Sequence, residues 1–224
     1  MNINEFIVNN FKQNIAYFQQ YYPALYKKIV DFEVALDGGY YQERYKLIYE
    51  NDSFDVVELS TENSLYNLQS LSYAKRVASS INYDFSEDAF ATFAISTNKD
   101  KAGMEFLELL EDSTSKELCH IDKFVFFGVG LGLHLASVDK KIDAQSYLIV
   151  EDDLELFRLS LFTVNYQEFS QDKKLFFSVF EDKDEFSKSV DSFLEYKFYL
   201  NHYIKFFLML SHSKGKVELF HLAV

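Results

Sequence analysis

Three glycines, Gly128, Gly130 and Gly132, separate a short apolar run (FVFF, 124–127) from a helical pattern (LHLASVDKK, 133–141). The chain has only seven glycines, so three within five residues mark a backbone turn that side chains resist. Between a strand and a helix, the first glycine of such a set permits the tight turn and the next lets a ligand approach the backbone. The last lets the helix pack closely on the strand. Amides at the helix start then form an anion site. The following apolar run, SYLIVE (146–151), ends in Glu151, 23 residues after Gly128. A carboxylate at that place accepts hydrogen bonds from ribose hydroxyls in nucleotide-binding folds. Gly128, Gly130, Gly132 and Glu151 are therefore the candidate nucleotide-binding residues. The competing reading is a tight strand-to-helix turn with no ligand, because fold and function separate readily.

The alternation continues beyond Glu151. DLELFRLSLF (153–162) reads as helix, KLFFSVFE (174–181) as a third strand, and a long helix is expected from about 184 to 211. Short apolar strands alternating with helices are the pattern of βαβ units, with strands covered on both faces. The predicted fold class is α/β, a Rossmann-like parallel sheet in the C-terminal half (β-α-β-α-β-α), preceded by a helical segment and a β-hairpin. Upstream, Phe6, Ile7, Phe11, Ile15, Phe18 and Tyr22 recur at helical spacing. Pro23 opens a second helix, which Asp37-Gly38-Gly39 stops. The period then changes to two: Tyr45, Leu47 and Tyr49 line one side of a strand, 55–59 returns beside it, and 50–53 forms the turn. Residues 62–92, with Leu65, Leu68, Leu71, Ala74 and Val77 as the buried side, and 103–111 read as further helices. The expected organisation is 1–112, a helical segment with hairpin packed on the same core, and 113–224, the βαβ region with its long C-terminal helix.

The spacing G-x-G-x-G is not the G-x-G-x-x-G of dinucleotide enzymes and is nearer to that of adenosylmethionine-dependent methyltransferases. Glu151-Asp152-Asp153 raises a second possibility. Glu151 and Asp153 have the acid-x-acid spacing that holds a divalent cation on a sugar-nucleotide diphosphate through hard oxygen ligands. Helix capping competes with that reading, since Asp152 and Glu155 make a capping-box spacing, and no metal is expected. His134 lies just inside the helix after the glycines, where a ligand could reach it; a solvent-facing or core histidine is the competing reading. His202, His212 and His221 lack metal-ligand spacing. No G-x-S-x-G, H-E-x-x-H or Walker sequence is present. Tyr196, Phe198, Tyr199, Tyr203, Phe206 and Phe207 suit core packing or a docking face better than a cofactor box.

Composition removes other classes. The chain carries 35 Asp and Glu against 22 Lys and Arg, a net charge of −13, and only three arginines, Arg44, Arg76 and Arg158. Nucleic acid and anionic membranes require cations to displace phosphate counterions, so neither is expected as a partner. The lone Cys119 forms no internal disulfide, which suits a reducing cytoplasm. The start MNINEFIVNNFKQN lacks a signal-peptide pattern, and 198–210 falls short of the roughly 20 apolar residues of a membrane span.

The run FFGVGLGLHLASVDKKIDAQSYLIVEDDLELFRLSLFTVNY (126–166) resembles the N-terminal domain of the motility-associated factor (Maf) flagellin glycosyltransferases, which contain an MptE-like domain. The resemblance is strongest over 126–166 and compatible over the upstream helices and hairpin. It implies an accessory domain of a protein that glycosylates flagellin Ser and Thr hydroxyls in the cytoplasm with nonulosonic (pseudaminic or legionaminic) acid. The implied donor of the parent protein is a CMP-activated nonulosonic acid, and the implied partners are flagellin and the parent's catalytic domain. Family members are far longer, with a central, sialyltransferase-like part to which catalysis is assigned, so no catalytic residue carries over to this chain. The alternative is a Rossmann-like enzyme domain, a transferase dependent on a CMP-sugar or on S-adenosylmethionine.

Overall fold

The computed structural model describes residues 3–80, 121–201, 204–209 and 214–223. The expected helix at 103–111, the end of the one at 62–92, and Cys119 lie outside the described residues. Two helices lead, α1 (Ile3–Tyr21) and α2 (Pro23–Asp37). Pro23 sits in the first turn of α2, where its missing amide proton costs nothing. Gly38 and the left-handed Gly39 (φ +69°) end it. The hairpin follows as β1 (Tyr45–Glu50) and β2 (Ser53–Glu58), paired antiparallel from Tyr45↔Glu58 to Glu50↔Ser53. Its two-residue turn is Asn51-Asp52, both left-handed (φ +51° and +59°), the twist that matches paired strands. The helix expected from 62 begins only at Ser70 as α3 (Ser70–Ser80), because 59–69 are drawn into a loop against β2. Ala74 and Val77 are buried as expected, whereas Leu71 is exposed.

Four parallel strands form the main sheet in the order β5-β4-β3-β6: β3 (Lys123–Phe127), β4 (Ser146–Glu151), β5 (Lys174–Val179) and β6 (Ile204–Leu208). The chain starts in the middle at β3 and steps outward through α4 (Leu135–Ile142) to β4. It continues through α5 (Leu154–Ser160) and the short α6 (Tyr166–Phe169) to β5. From there α7 (Lys183–Glu195) carries it back so that β6 lies on the other side of β3, register Phe126↔Phe207. The last helix is α8 (Lys214–Ala223).

The expected long helix from 184 to 211 is therefore corrected. It stops at Glu195, where Tyr196 turns extended and Lys197 left-handed (φ +44°). A 3-10 turn at Phe198–Leu200 follows, and Ile204–Leu208 becomes a strand. IKFFL is β-branched and aromatic, and the free side of β3 supplies hydrogen-bonding partners that no helix would use.

Period-two alternation divides the strands between two cores. Phe124, Phe126, Tyr147 and Ile149 face α1, α2, α4, α5 and α6, packing with Phe18, Ile29, Val138, Phe157 and Tyr166. Val125, Phe127, Leu148 and Val150 face α7 and α8, packing with Phe186, Val190, Phe193 and Phe220. A third cluster unites the hairpin (Phe54, Val56), Tyr66, Leu131, Leu156, Leu159 and Met209 at the carboxyl end of the sheet. Asn14 of α1 is fully buried and donates to Leu161 O (2.8 Å) and Val164 O (2.6 Å) while accepting from Tyr166 N (2.8 Å).

Candidate functional site

In an open parallel sheet the ligand crevice lies at the carboxyl ends of the strands, where the strand order reverses. Here that point lies between β3 and β6, and the glycine turn forms one of its walls. Gly128, Gly130 and Gly132 all adopt positive φ (+88°, +53° and +68°), a region glycine enters without steric cost. At Gly132 an added Cβ would meet Val164 Cγ2 at 2.6 Å, so this glycine admits the close approach of the segment after α5.

The space above Gly130 belongs to the protein itself. An added Cβ would lie 2.7 Å from Met209 Cε, just past β6, and closer still to the hydroxyl of Tyr66. That hydroxyl accepts a hydrogen bond from Leu131 N at 3.0 Å. The two preceding amides, Val129 N (2.8 Å) and Gly130 N (3.2 Å), both donate to Glu151 Oε2. Three convergent amides, where the sequence leads one to expect phosphate oxygens, thus meet a carboxylate and a phenol of the same chain.

Glu151 ends β4 as expected and is almost fully buried. Burial raises its carboxyl above the usual range, and three amides oppose that shift. Its second oxygen, Oε1, accepts from Asp153 N at 3.1 Å. Both oxygens therefore face the turn and the start of α5. Asp153 is the N-cap of α5, its Oδ1 accepting from Glu155 N (3.0 Å) and Leu156 N (3.4 Å) and from Arg44 Nη2 (2.7 Å). The capping residue is Asp153 and not Asp152, a shift of one position; Asp152 pairs with Lys216 of α8. Among the described residues no group of three or more His, Cys, Asp or Glu side chains could hold a metal ion.

Two more acids complete the arrangement: Glu155, expected only as a capping-box partner, and Asp55, which the sequence did not single out. Glu155 of α5 is buried and accepts from Arg44 N (2.8 Å), Tyr45 N (2.9 Å), Tyr41 Oη (3.0 Å) and Arg44 Nε (3.2 Å). It fastens the start of the hairpin to the crest of the sheet. Asp55 of β2 is also buried; it accepts from Val56 N (2.7 Å), Tyr66 N (2.9 Å), Leu68 N (2.5 Å) and the Ser64 hydroxyl. Those bonds shape the 59–69 loop and aim Tyr66 into the crevice. The one local signal was an acid inside an apolar run in each case, Asp55 in SFDVVE and Glu155 in LELF. Their partners, up to 114 residues away, left no mark on local periodicity.

His134, expected within reach of a ligand, at the solvent or in the core, is in the core. Its ring lies among Phe126 (5.5 Å), Phe207 (5.2 Å) and Tyr73 (6.2 Å), and neither nitrogen has a hydrogen-bond partner. Burial pushes its pKa down to about 3. Lys123, at the start of β3, donates to Phe193 O (2.7 Å) and Leu194 O (3.1 Å) and caps the end of α7; burial lowers its pKa to about 8. Of the expected aromatic docking face, Phe206 is buried, while Phe198 and Tyr199 are 72% and 57% exposed with their rings 6.0 Å apart. No described helix is long and apolar enough to cross a membrane.

The model of the glycosyltransferase Maf N-terminal domain family matches residues 10–207. Among solved structures, a MAf glycosyltransferase from Magnetospirillum magneticum AMB-1 is similar in fold, with a TM-score of 0.62 at 16% identity over 98% of this chain. The match covers 34% of that chain, so the present sequence spans about a third of the solved relative. No curated protein matches.

Proposed function

The chain belongs to the glycosyltransferase Maf N-terminal domain family, which associates it with glycosylation, and from that premise we propose that it is an accessory, positioning module and not the part that binds the nucleotide donor. One observation carries this reading. The switch-point crevice is filled by Tyr66 and Met209, and the amides of Val129, Gly130 and Leu131 already serve Glu151 and Tyr66. A nucleotide phosphate would have to displace a buried carboxylate and a buried phenol. The glycine turn then serves as the seat that joins the hairpin to the sheet.

In this reading the donor, a CMP-activated nonulosonic acid, binds a catalytic part outside this chain, and the acceptor hydroxyls are those of flagellin in the cytoplasm. The exposed Phe198–Tyr199 pair, at the opposite end of the sheet from the glycine turn, is the surface that docks the catalytic part. Aromatic pairs of this kind supply large contact area at low entropic cost. The competing reading is a CMP-sugar or S-adenosylmethionine transferase with its donor at Gly128–Gly132 and Glu151, and a cation at Glu151 and Asp153.

Calorimetry separates the two. The chain is titrated with CMP, S-adenosylhomocysteine, flagellin and the separately produced remainder of a Maf glycosyltransferase. Binding of a protein partner with no heat from either nucleotide is expected. Nucleotide binding that Gly130→Val abolishes would establish the enzymatic reading instead.

A further inference from the structure

The segment that closes the crevice belongs neither to the sheet nor to its covering helices. Residues 59–69 form an irregular strap between β2 and α3. The strap is held at one end by Asp55, which accepts from Tyr66 N, Leu68 N and the Ser64 hydroxyl. At the other end the Tyr66 hydroxyl accepts from Leu131 N. Three of its residues, Glu62, Asn67 and Leu68, are non-glycines in the left-handed region (φ +58°, +51° and +57°). That conformation is unfavourable for L residues, most of all for one as bulky as leucine. Backbone bonds also tie the strap to β2, Leu65 N donating to Val56 O (2.8 Å) and Glu58 N to Asn63 O (2.9 Å). The closed strap is therefore strained backbone fastened to the hairpin and to Leu131 but not to the strands of the main sheet, the kind of segment that opens at lower cost than the sheet beneath it.

We propose that the strap is a gate: it lifts as a unit while the four-stranded sheet stays folded, and in lifting it exposes the Leu131 amide and the slot above Gly130. The proposal rests on the reading that Tyr66 closes the crevice in the folded chain. Glu151 does not move with the strap, because β4 carries it, so its carboxylate remains on the Val129 and Gly130 amides. The open slot then offers one free amide beside a buried carboxylate, in a space shaped by a phenol ring. It suits a neutral six-membered ring bearing an acceptor oxygen and repels phosphate. Tyr66 is the internal stand-in for such a ligand.

Native-state hydrogen exchange followed by NMR tests the gate directly. In the unmodified chain the amides of Tyr66, Leu68 and Leu131 are expected to exchange together, at least about tenfold faster than Leu148 and Ile149 of β4. Asp55→Asn should accelerate those three by a further factor of about ten and leave the β4 amides unchanged. If Leu131 exchanges only with the β4 amides in both proteins, the strap is an inseparable part of the sheet and the gate is refuted. The slot is probed with Tyr66→Ala and p-cresol, the tyrosine side chain as a free molecule. Saturable recovery of Leu131 protection is expected, and no recovery in the folded variant overturns the ligand class. If Tyr66→Ala does not fold, saturable slowing of Leu131 exchange by p-cresol in Asp55→Asn replaces it, and no slowing there has the same consequence. Binding of CMP by the unmodified chain would sink the closed-crevice reading, whereas sheet-coupled exchange would sink the gate alone.

Discussion

Gly130→Ala perturbs the contact on which the fold and the functional reading both depend. Gly130 has φ +53°, and a Cβ there would meet Met209 Cε at 2.7 Å and crowd the Tyr66 hydroxyl more closely still. The left-handed backbone costs an L residue about 1–2 kcal/mol. Displacing the phenol leaves the buried Leu131 amide without its acceptor, which costs about 1–3 kcal/mol more. Met209 adds little, because its flexible thioether end can move aside. The expected loss of stability is therefore about 2–5 kcal/mol, the sum of those two terms. In a Tyr66→Ala background the second cost is already incurred. The same glycine substitution should then cost only the backbone term, leaving a coupling of about 1–3 kcal/mol between the two sites. Urea denaturation of the four proteins of this cycle, followed by far-UV circular dichroism, measures it. Additivity to within about 0.5 kcal/mol would refute the reasoning, because it would mean that Tyr66 does not occupy the space above Gly130.

Other substitutions probe the remaining parts. Glu155→Ala removes the acceptor of two amides and a phenol at the root of the hairpin. It should cost about 3–4 kcal/mol in urea denaturation, with Arg44 contributing little because its side chain is half exposed. A cost under about 1 kcal/mol would show that apolar packing alone holds the hairpin. His134 is neutral in the folded chain, with its pKa lowered to about 3 by burial against 6.5 when unfolded. Its contribution to stability is full above pH 6.5 and is lost as the pH falls from there towards 3, because the unfolded chain binds the proton first. His134→Leu should flatten the stability profile over that window and add about 1–2 kcal/mol at neutral pH by removing two unpartnered nitrogens. Equal acid slopes for the two proteins would contradict this. Tyr199→Ser combined with Phe198→Ser should change stability by less than about 0.5 kcal/mol, since both rings face solvent, while weakening capture of the protein partner in calorimetry. Unchanged capture would remove the ring pair from the interface.

The sheet strands were readable where local periodicity and burial agree. SYLIVE occupies β4 from Ser146 to Glu151 as expected, and KLFFSV forms β5. The glycine spacing marked the turn between β3 and α4, and all three glycines there have positive φ. The segment 204–208 was misread because its aromatics, continuing those at 196–199, fit helical spacing. The free side of β3, a partner about 80 residues earlier, decided for a strand. The capping residue of α5 was misplaced by one position because two aspartates stand side by side. Tyr66 left no signal at all: nothing around it in sequence reveals that its hydroxyl meets an amide 65 residues later. The glycines therefore announced a pocket, while the side chains that fill it came from a part of the chain with no pattern linking it to the turn.

The central claim, that the crevice above the glycine turn is taken by the chain's own Tyr66 and Glu151, is tested most directly by following the amide resonances of Val129, Gly130 and Leu131 during a titration with CMP. None of the three is expected to move up to millimolar nucleotide, and Tyr66→Phe alone is expected to shift Leu131. Saturable shifts of these three amides in the unmodified chain would place the nucleotide where the account places the phenol, and would contradict it.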